Sequence, residues 1–453
     1  MTITQMTAAM RNNELTSAGL VKKYLERIEQ HKHLNAVIEI NPDAVAIAER
    51  LDSSKEKSGL LHGIPVLVKD NISTADRIRT SAGSAALAQN IAPMDAPIVS
   101  LLRRAGAVIL GKTNMTEFAN YMAHGMPNGF SSRGGQTLSF FNAKADPSGS
   151  STGSAVAVSA DLCAAAVGTE TCGSILSPAQ QAGIVGLKPT LGLLNGEAII
   201  PISFTLDTAG PMCRCVEDAG LLLGVLADRN YRLDKDHGPG DLRIGIWRNS
   251  IKDEYDPEWI TANENLLPLM KSLGAVCIDL PEHKINTEYF KPVMQYEFKF
   301  AMNRYLRSMN NPAIPQSLEE IIAYNECHAA IALKYGQDLL NTSEKASGTM
   351  TEPEYLEAMK ARDAAIKTLD SVFSENNLDI IFMTEGDFRI ITTGFPGITI
   401  PVGRKPGGLP IGSFFMARRF CEEKLLQTAM AIENEISPDH NRSFNPGLMP
   451  AFN

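Results

Sequence analysis

The sequence predicts an α/β protein: one large domain with a central mixed, mostly parallel β-sheet that helices cover on both faces. From residue 61 onward, short apolar runs alternate with segments of helical length. This strand–helix–strand order is typical of parallel sheets that are buried on both faces. Hydrophobic residues make up 44% of the 453 residues, enough for a large core. No repeat or Pro/Ser-rich linker divides the chain, although length alone favours about three domains.

The individual elements follow from apolar periodicity. Thr16 or Ser17 is expected to cap a first helix, whose apolar face carries residues 20, 21, 24, 25 and 28. Apolar runs predict strands at 66–68, 107–110, a stretch ending at Gly168, 242–247, 275–280, 380–382, 398–400 and 411–415. Helical patterns predict helices at 97–105, 154–166, 257–273, 288–307, 354–375 and 422–436. The polar segments 228–240 and 341–349 are the best boundary candidates, and we expect surface loops there.

Charge and segment composition exclude several partners. The chain has 42 Lys plus Arg against 51 Asp plus Glu, a formal charge of −9. Proteins that hold nucleic acid through its phosphates need a basic surface, so no nucleic-acid partner is expected. No apolar run approaches the about 18 residues of a membrane helix, and the first 14 residues lack a signal-peptide core. We therefore expect a soluble cytoplasmic protein without membrane contact.

Motif absences argue against metals and nucleotide cofactors. The seven cysteines contain no CxxC pair, which indicates free thiols in a reducing compartment. The eight histidines are scattered and no HExxH occurs, so no metal site is expected. Neither GxxxxGK[ST] nor a strand-to-helix GxGxxG is present, and no GxSxG surrounds Ser150 or Ser174. We expect no cofactor.

Residues 146–189 are the part of the chain most suited to chemistry. Residues 148–154, here called the first turn, hold four Ser, one Thr and two Gly just ahead of a predicted helix. Residues 168–174, the second turn, leave a strand and enter another helix-like segment. Such turns present backbone N–H groups that can hold a negative oxygen. A capped turn without further function is the ordinary alternative for either one.

Lys69 ends the apolar strand that precedes these turns. A lysine at a strand end is commonly a surface residue whose ammonium reaches solvent. If Lys69 is buried instead, desolvation lowers its pKa and leaves a neutral amine that can accept a proton. Serine hydroxyls need such a base to act as nucleophiles. The sequence leaves both readings of Lys69 open.

Four motifs in fixed order resemble the amidase signature enzymes. They are HGIPVLVKD at 62–70, GSSTGSA at 149–155, GTETCGSILSPA at 168–179 and GLKPT at 186–190. Supporting motifs lie at 80–84, 106–114, 207–212 and 408–412. The resemblance implies the amidase signature fold over residues 1–453. It also implies an N-terminal helical segment at 1–60, a core with the active site at 61–230, and a helical excursion at 285–375 that shapes the pocket.

The resemblance also implies site residues and an activity. The family nucleophile falls on Ser174, the bridging serine, which has a cis peptide in the family, on Ser150, and the lysine base on Lys69. The oxyanion hole falls on the N–H groups of Thr171, Cys172, Gly173 and Ser174. The implied reaction cleaves a carboxylic amide through an acyl-enzyme and releases ammonia or an amine. Substrate-binding positions of the family fall on Ser81, Gly83, Ala119 and Asn120, for which ordinary packing is the alternative.

Departures from the family pattern bear on the substrate. Cys172 and Leu176 stand where many members have Gly and Arg, and Thr152 replaces a common Gly. Without that arginine, a small acidic substrate is disfavoured. Together with residues 131–136 and 200–204 (IPISF), the pattern looks most like the peptide amidase branch, which predicts C-terminal peptide amides or small neutral aryl or alkyl amides. Cys172 is interpreted as filling space, with an oxidisable thiol as the alternative.

Two other functions stay open at this point. One is the glutaminase-type subunit of a tRNA amidotransferase, which works in a complex. The other is a catalytically silent binding protein of the same fold. For a stand-alone amidase, the expected partners are a small-molecule or peptide amide substrate, in a monomer or homodimer.

Overall fold

The computed structural model describes residues 1–54, 59–233, 240, 242–248, 256–281, 285–384 and 388–436. The helices are α1 (Ile3–Arg11), α2 (Ser17–Gln30), α3 (Ala44–Asp52), α4 (Pro97–Arg104), α5 (Thr152–Ser159), α6 (Leu176–Gln181), α7 (Val216–Ala227), α8 (Pro257–Glu264), α9 (Leu266–Ser272), α10 (Phe290–Met309), α11 (Leu318–Cys327), α12 (Ala329–Ala332), α13 (Asp338–Glu344), α14 (Pro353–Glu375) and α15 (Glu422–Ile436). The strands are β1 (Val37–Ile40), β2 (Pro65–Lys69), β3 (Val108–Thr113), β4 (Phe130–Ser131), β5 (Gly135–Gln136), β6 (Ala165–Glu170), β7 (Val185–Lys188), β8 (Thr208–Cys213), β9 (Arg243–Trp247), β10 (Val276–Asp279), β11 (Ile380–Met383), β12 (Gly397–Arg404) and β13 (Pro410–Ala417).

Eleven of the described strands form one mixed sheet in the order β1-β3-β2-β6-β8-β7-β12-β13-β11-β9-β10. The predicted single domain, with a mixed central sheet and covering helices, is confirmed. Parallel pairings join β3-β2-β6 near one edge and β11-β9-β10 at the other. The six remaining adjacencies are antiparallel. The parallel share is smaller than predicted, because β7 and β8, which the periodicity did not reveal, insert antiparallel pairings at the centre.

The predicted strands are all present, with ends that differ by a few residues. Thr16, rather than Ser17, caps α2: its Oγ1 accepts the Gly19 N–H at 3.0 Å. Among the described residues of the segment 1–60, α1, α2 and α3 are joined by the edge strand β1. Part of the boundary candidate 228–240 lies outside the described residues, and within 341–349 the chain remains helical through Glu344.

Two predicted helices are wrong in extent. The helix predicted over 154–166 ends at Ser159, because Asp161 has a left-handed φ of 54° that a helix cannot continue through. The small residues that follow form β6 instead. The helix predicted over 257–273 is divided into α8 and α9. Pro268 explains the break, since it has no N–H to donate to the Glu264 carbonyl.

The helices after residue 290 attach to the sheet domain through their own apolar cluster. Phe298 and Met302 of α10 are fully buried, and they cluster with Phe118 and with Ile202. Phe298 also contacts the ring of Tyr121, with centroids 4.8 Å apart. This packing brings the predicted helical excursion against two loops that follow β3 and β7. Its role in shaping a pocket stays a prediction.

Close approach of β1 to β3 depends on Gly111. β1 pairs antiparallel with β3, and its register shifts between Val37 and Glu39. A Cβ added at Gly111 would lie 2.3 Å from the Glu39 carbonyl oxygen and 3.0 Å from the Ile40 Cα. These are backbone atoms, so relief requires movement of the whole strand.

We therefore expect Gly111→Ala to destabilise the protein by about 1–3 kcal/mol or more. The midpoint of urea unfolding measures the change. Gly196→Ala is the matched control, because a Cβ there meets no atom within 4 Å. Equal midpoints for the two variants would contradict the packing assigned to β1.

Candidate active site

Lys69 is the last residue of β2, whose five residues are all buried. β2 has a parallel neighbour on each side, β3 and β6, so no edge of this strand faces water. The Lys69 side chain has no solvent exposure. The buried reading of Lys69 is therefore confirmed, and the surface reading is wrong.

Three oxygens surround the Lys69 amine. Nζ lies 2.8 Å from Ser150 Oγ, 2.9 Å from Ser151 Oγ and 3.1 Å from the Thr169 carbonyl oxygen. No acidic side chain is among these partners. The first turn and β6 thus both contribute to the lysine environment, although they lie 81 and 100 residues away along the chain.

Counting the available hydrogens shows which groups donate and which accept in this cluster. Ser151 Oγ donates its own hydrogen to the Thr169 carbonyl at 2.9 Å, and it accepts the Thr169 N–H at 3.2 Å. Ser151 can therefore only accept from Lys69, as the Thr169 carbonyl also does. A neutral amine has two hydrogens, and these two acceptors take both. Its lone pair then remains for the third partner, the hydroxyl of Ser150.

Burial favours the neutral form of the Lys69 amine, so this form is populated near neutral pH. Desolvation lowers the pKa of Lys69 to about 7, while the charges of Glu170 and Asp207 act in the opposite direction. A buried ammonium without a carboxylate in direct contact loses hydration that its hydrogen bonds only partly replace. The arrangement provides a base that titrates close to physiological pH.

The first turn presents Ser150 to this amine. The peptide bond between Gly149 and Ser150 is cis, as the resemblance implies. The Ser150 carbonyl accepts the Thr116 N–H at 3.1 Å, and Thr152 Oγ1 donates to the Ser148 carbonyl. Thr152, which departs from the family pattern, thus closes the turn with its hydroxyl.

The second turn brings Ser174 beside the first. The Ser151 N–H donates to the Ser174 carbonyl at 3.1 Å, which joins the two turns directly. The Ser174 side chain is almost buried, with 8% exposure. Among the described residues, no hydrogen bond to Ser174 Oγ is formed. Lys69 and Ser150 are therefore in contact, whereas Ser174 lies in the adjoining turn without a hydroxyl contact to them.

Glu170, the third residue of the second turn, bonds this turn to the start of α6. The motif at 168–179 contains Glu170, but the resemblance assigns it no role. Glu170 is buried at the end of β6, and its Oε2 accepts the N–H groups of Ile175 and Leu176, the latter at 2.9 Å. Burial raises its pKa, and the hydrogen bonds from these N–H groups oppose the rise. An acidic residue just ahead of a helix start was the available signal, since carboxylates bind helix N-termini.

Leu176 is a core residue. It is fully buried in a cluster with Trp247, Phe395 and Phe414. An arginine at this position would place its charge among apolar side chains. The apolar surroundings of position 176 thus explain why a leucine stands where many family members have an arginine.

Asp207 connects the second turn to the segment that precedes β8. Its Oδ1 accepts the Thr171 hydroxyl at 2.6 Å, and its Oδ2 accepts the N–H groups of Ile202 and Ser203 at 2.7 and 3.0 Å. Burial raises the pKa of Asp207 to about 6. Asp207 opens one of the supporting motifs, but its contact with Thr171 could not be read from the sequence.

The four predicted substrate-binding residues lie in two different environments. Ser81 is fully buried and donates its hydroxyl to Asp70, and the Gly83 N–H donates to the same carboxylate at 2.9 Å. Ala119 and Asn120 belong to a left-handed turn, with φ of 55° and 72°. Asn120 is exposed. Contact of any of the four with substrate stays a prediction.

Cys172 is partly buried in the second turn, and none of the seven cysteines, all of them described, forms a disulfide. Within the described part of the chain, no group of three or more His, Cys, Asp or Glu side chains could hold a metal ion. Among the described helices, none combines the length and apolar character needed to cross a membrane.

Comparisons with known proteins agree with this architecture. The amidase family model matches residues 19–387. A "Probable amidase" of Arabidopsis thaliana is 37% identical over 458 residues, covering 95% of this chain and 89% of its own. The crystal structure of native peptide amidase from Stenotrophomonas maltophilia is 36% identical, covers 96% of each chain and superposes with a TM-score of 0.88.

A third relative is, by its name, one component of a multisubunit enzyme. This glutamyl-tRNA(Gln) amidotransferase subunit of Chromohalobacter salexigens is 31% identical over 473 residues, covering 94% of this chain and 95% of its own. The family match spans most of the chain, and the relatives are matched along nearly their whole length. The chain therefore belongs to the amidase family and is an amide-hydrolysing enzyme.

Proposed function

We propose that this enzyme hydrolyses neutral carboxylic amides, either C-terminal peptide amides or small aryl and alkyl amides, through Lys69, Ser150 and Ser174. The observation that carries the proposal is the contact of 2.8 Å between a buried lysine amine and Ser150, in a turn bonded to the Ser174 turn. Nucleophilic serine needs a neighbouring base. Lys69, with a pKa of about 7, supplies one without histidine.

In the first step, neutral Lys69 accepts the Ser150 proton while Ser150 accepts the proton of Ser174. Ser174 Oγ then attacks the amide carbonyl carbon, and the carbonyl π electrons move to oxygen. The distance from Ser150 to Ser174 shortens when substrate binds, since catalytic hydrogen bonds are often loose in the free enzyme. Before this proton transfer, Ser151 and Thr169 keep the Lys69 lone pair directed at Ser150.

The negative oxygen binds to the N–H groups of the second turn, Thr171 to Ser174. Their orientation is supported by Glu170, which accepts the N–H groups of Ile175 and Leu176 directly after the turn, and by Asp207 at Thr171. Preorganised N–H groups commonly contribute about 10²–10³-fold to such reactions. Ser150 next donates its proton to the leaving nitrogen while the oxyanion electrons re-form the carbonyl and the C–N bond breaks, and Lys69 returns a proton to Ser150. Water then hydrolyses the acyl-enzyme by the same relay, which regenerates Ser174.

Two observations support a neutral amide substrate related to peptide amides. Leu176 is buried in the core, so this position contributes no positive charge for an acidic substrate. The similarity to a peptide amidase extends over 96% of both chains. Substrates that differ in the acyl chain test this class directly.

The relative from the amidotransferase supports a second candidate, glutamine hydrolysis within a complex. The two candidate functions are distinguished by measuring ammonia release from four substrates: amidated dipeptides, free glutamine, aryl amides and fatty amides. A stand-alone amidase releases ammonia or amine from the peptide, aryl or alkyl amides as purified protein. Release only from glutamine, together with co-purifying subunits, would favour the amidotransferase role.

We expect Ser174→Ala to reduce amide hydrolysis to background, because the variant lacks the attacking oxygen. Only one hydroxyl is removed, so the thermal unfolding midpoint should stay within a few degrees of wild type. A fluorophosphonate probe should label wild-type protein and not the variant. Substantial turnover by purified Ser174→Ala would overturn the triad, and an unlabelled but folded wild-type protein would favour a silent binding protein.

The pH dependence should report Lys69. Because the neutral amine is the active form, kcat/KM should rise about tenfold per pH unit below pH 7 and level off above it. Lys69→Ala should lose most activity, with a residual rate that increases at high pH as hydroxide replaces the base. A wild-type profile that falls from pH 6 to pH 8 would contradict the assignment.

Ser151 should act as a positioning residue. In Ser151→Ala one amine hydrogen of Lys69 loses its acceptor and competes for Ser150, so we expect kcat to fall about 10–100-fold with a smaller change in KM. Ser159→Ala is the control, because that buried hydroxyl donates to the Ala182 carbonyl instead, at 2.7 Å. Equal kcat in both variants would remove Ser151 from the mechanism.

A further inference from the structure

The segment 200–204, which the sequence singled out, has no role in the proposed chemistry, yet it is bound to the site. Asn71 Nδ2 donates to Thr169 Oγ1 at 3.0 Å and to the Ile200 carbonyl at 3.2 Å. Further along, Asp207 accepts the N–H groups of Ile202 and Ser203 and the hydroxyl of Thr171. Residues 202–207, here called the aromatic loop, are thus connected directly to the second turn.

A second carboxylate fixes the aromatic loop from the side of α10. Glu297 is fully buried, and it accepts the hydroxyls of Ser203 and Thr205 and the Thr205 N–H at 3.1 Å. The Tyr355 hydroxyl of α14 donates to it at 2.7 Å. The loop is therefore held on both sides, with little freedom to rearrange.

Between these two anchors the chain exposes an aromatic ring. Phe204 is 52% exposed, and Phe300 of α10 is 40% exposed. Their ring centroids lie 6.1 Å apart with an interplanar angle of 75°, an edge-to-face contact. These two rings, one on the loop and one on α10, expose apolar surface to water, which is unfavourable unless something covers it. Preorganised aromatic side chains are typical of recognition sites.

We infer that Phe204, together with Phe300, determines specificity by contacting an apolar side chain on the acyl part of the amide substrate. Phe204 follows Ser203 in the chain. The Ser203 N–H and the Thr171 hydroxyl of the second turn both donate hydrogen bonds to the Asp207 carboxylate. The path from Phe204 to Thr171 through these bonds is on the order of 10 Å, the length of about three extended peptide residues, which a substrate side chain and the Phe204 ring can span between them. When ammonia is the leaving group, the acyl part carries every side chain of the substrate. This inference rests on the proposed function.

The test compares two neutral substrates, N-acetyl-phenylalanine amide and N-acetyl-glycine amide, by the ratio of their kcat/KM values. In Phe204→Ala this ratio should fall about tenfold, because the aromatic contact is lost. Phe300→Ala should lower it less, and Phe204→Leu should restore part of it. Val276→Ala is the control, since it removes an exposed apolar side chain from β10 at the far edge of the sheet and should leave the ratio unchanged.

A ratio that stays within twofold of wild type in Phe204→Ala would overturn the inference and leave the proposed function standing. If wild-type protein hydrolyses neither of these amides nor the aryl and alkyl amides, the proposed function fails, and binding decides the inference separately. N-acetyl-phenylalanine amide would then be titrated into Ser174→Ala protein with and without Phe204→Ala. A Kd about tenfold weaker in the double variant supports the aromatic contact, and an unchanged Kd overturns it.

Discussion

The burial of one amine at the end of β2 is the constraint on which the site depends. An ammonium in this position has no solvent exposure and no carboxylate among its hydrogen-bond partners, so desolvation lowers the pKa of Lys69 to about 7. The neutral amine still has to place two hydrogens and a lone pair. Thr169, Ser151 and Ser150 supply these partners, and they come from β6 and from the turn before α5. Because β2 and β6 are parallel neighbours, their carboxyl ends lie side by side, which brings these partners to the Lys69 amine.

Buried carboxylates organise the loops around this amine. Glu170, Asp207 and Glu297 each accept hydrogen bonds from backbone N–H groups, Glu170 at the start of α6 and the other two in the aromatic loop. Burial raises the pKa of Glu170, and that of Asp207 to about 6. The charges of Glu170 and Asp207 in turn favour the protonated form of Lys69. The groups that shape the turns therefore also limit how far burial lowers the lysine pKa.

Local patterns predicted the strands well and failed at particular residues. Continuous apolar runs such as 66–68 and 380–382 became buried strands because both faces of this sheet are covered. The run 154–166 was misread because small apolar residues suit a helix and a buried strand equally, and the left-handed Asp161 decides where one ends. Ser81 and Gly83 satisfy the buried Asp70 carboxylate, a partner that no local pattern identifies.

By itself, the sequence determined the fold class, the family resemblance and the residue types of the site, because these depend on local periodicity and on motif spacing. It left open whether Lys69 faces water or the interior. Tertiary structure decided that question, since burial of a strand end depends on which strands lie beside it. It also decided the roles of Ser151, Asp207 and Glu297. Their hydrogen-bond partners include residues that are distant in the sequence and that only the folded chain brings together. Free energies of desolvation and hydrogen bonding depend on surroundings that form only when the chain has folded.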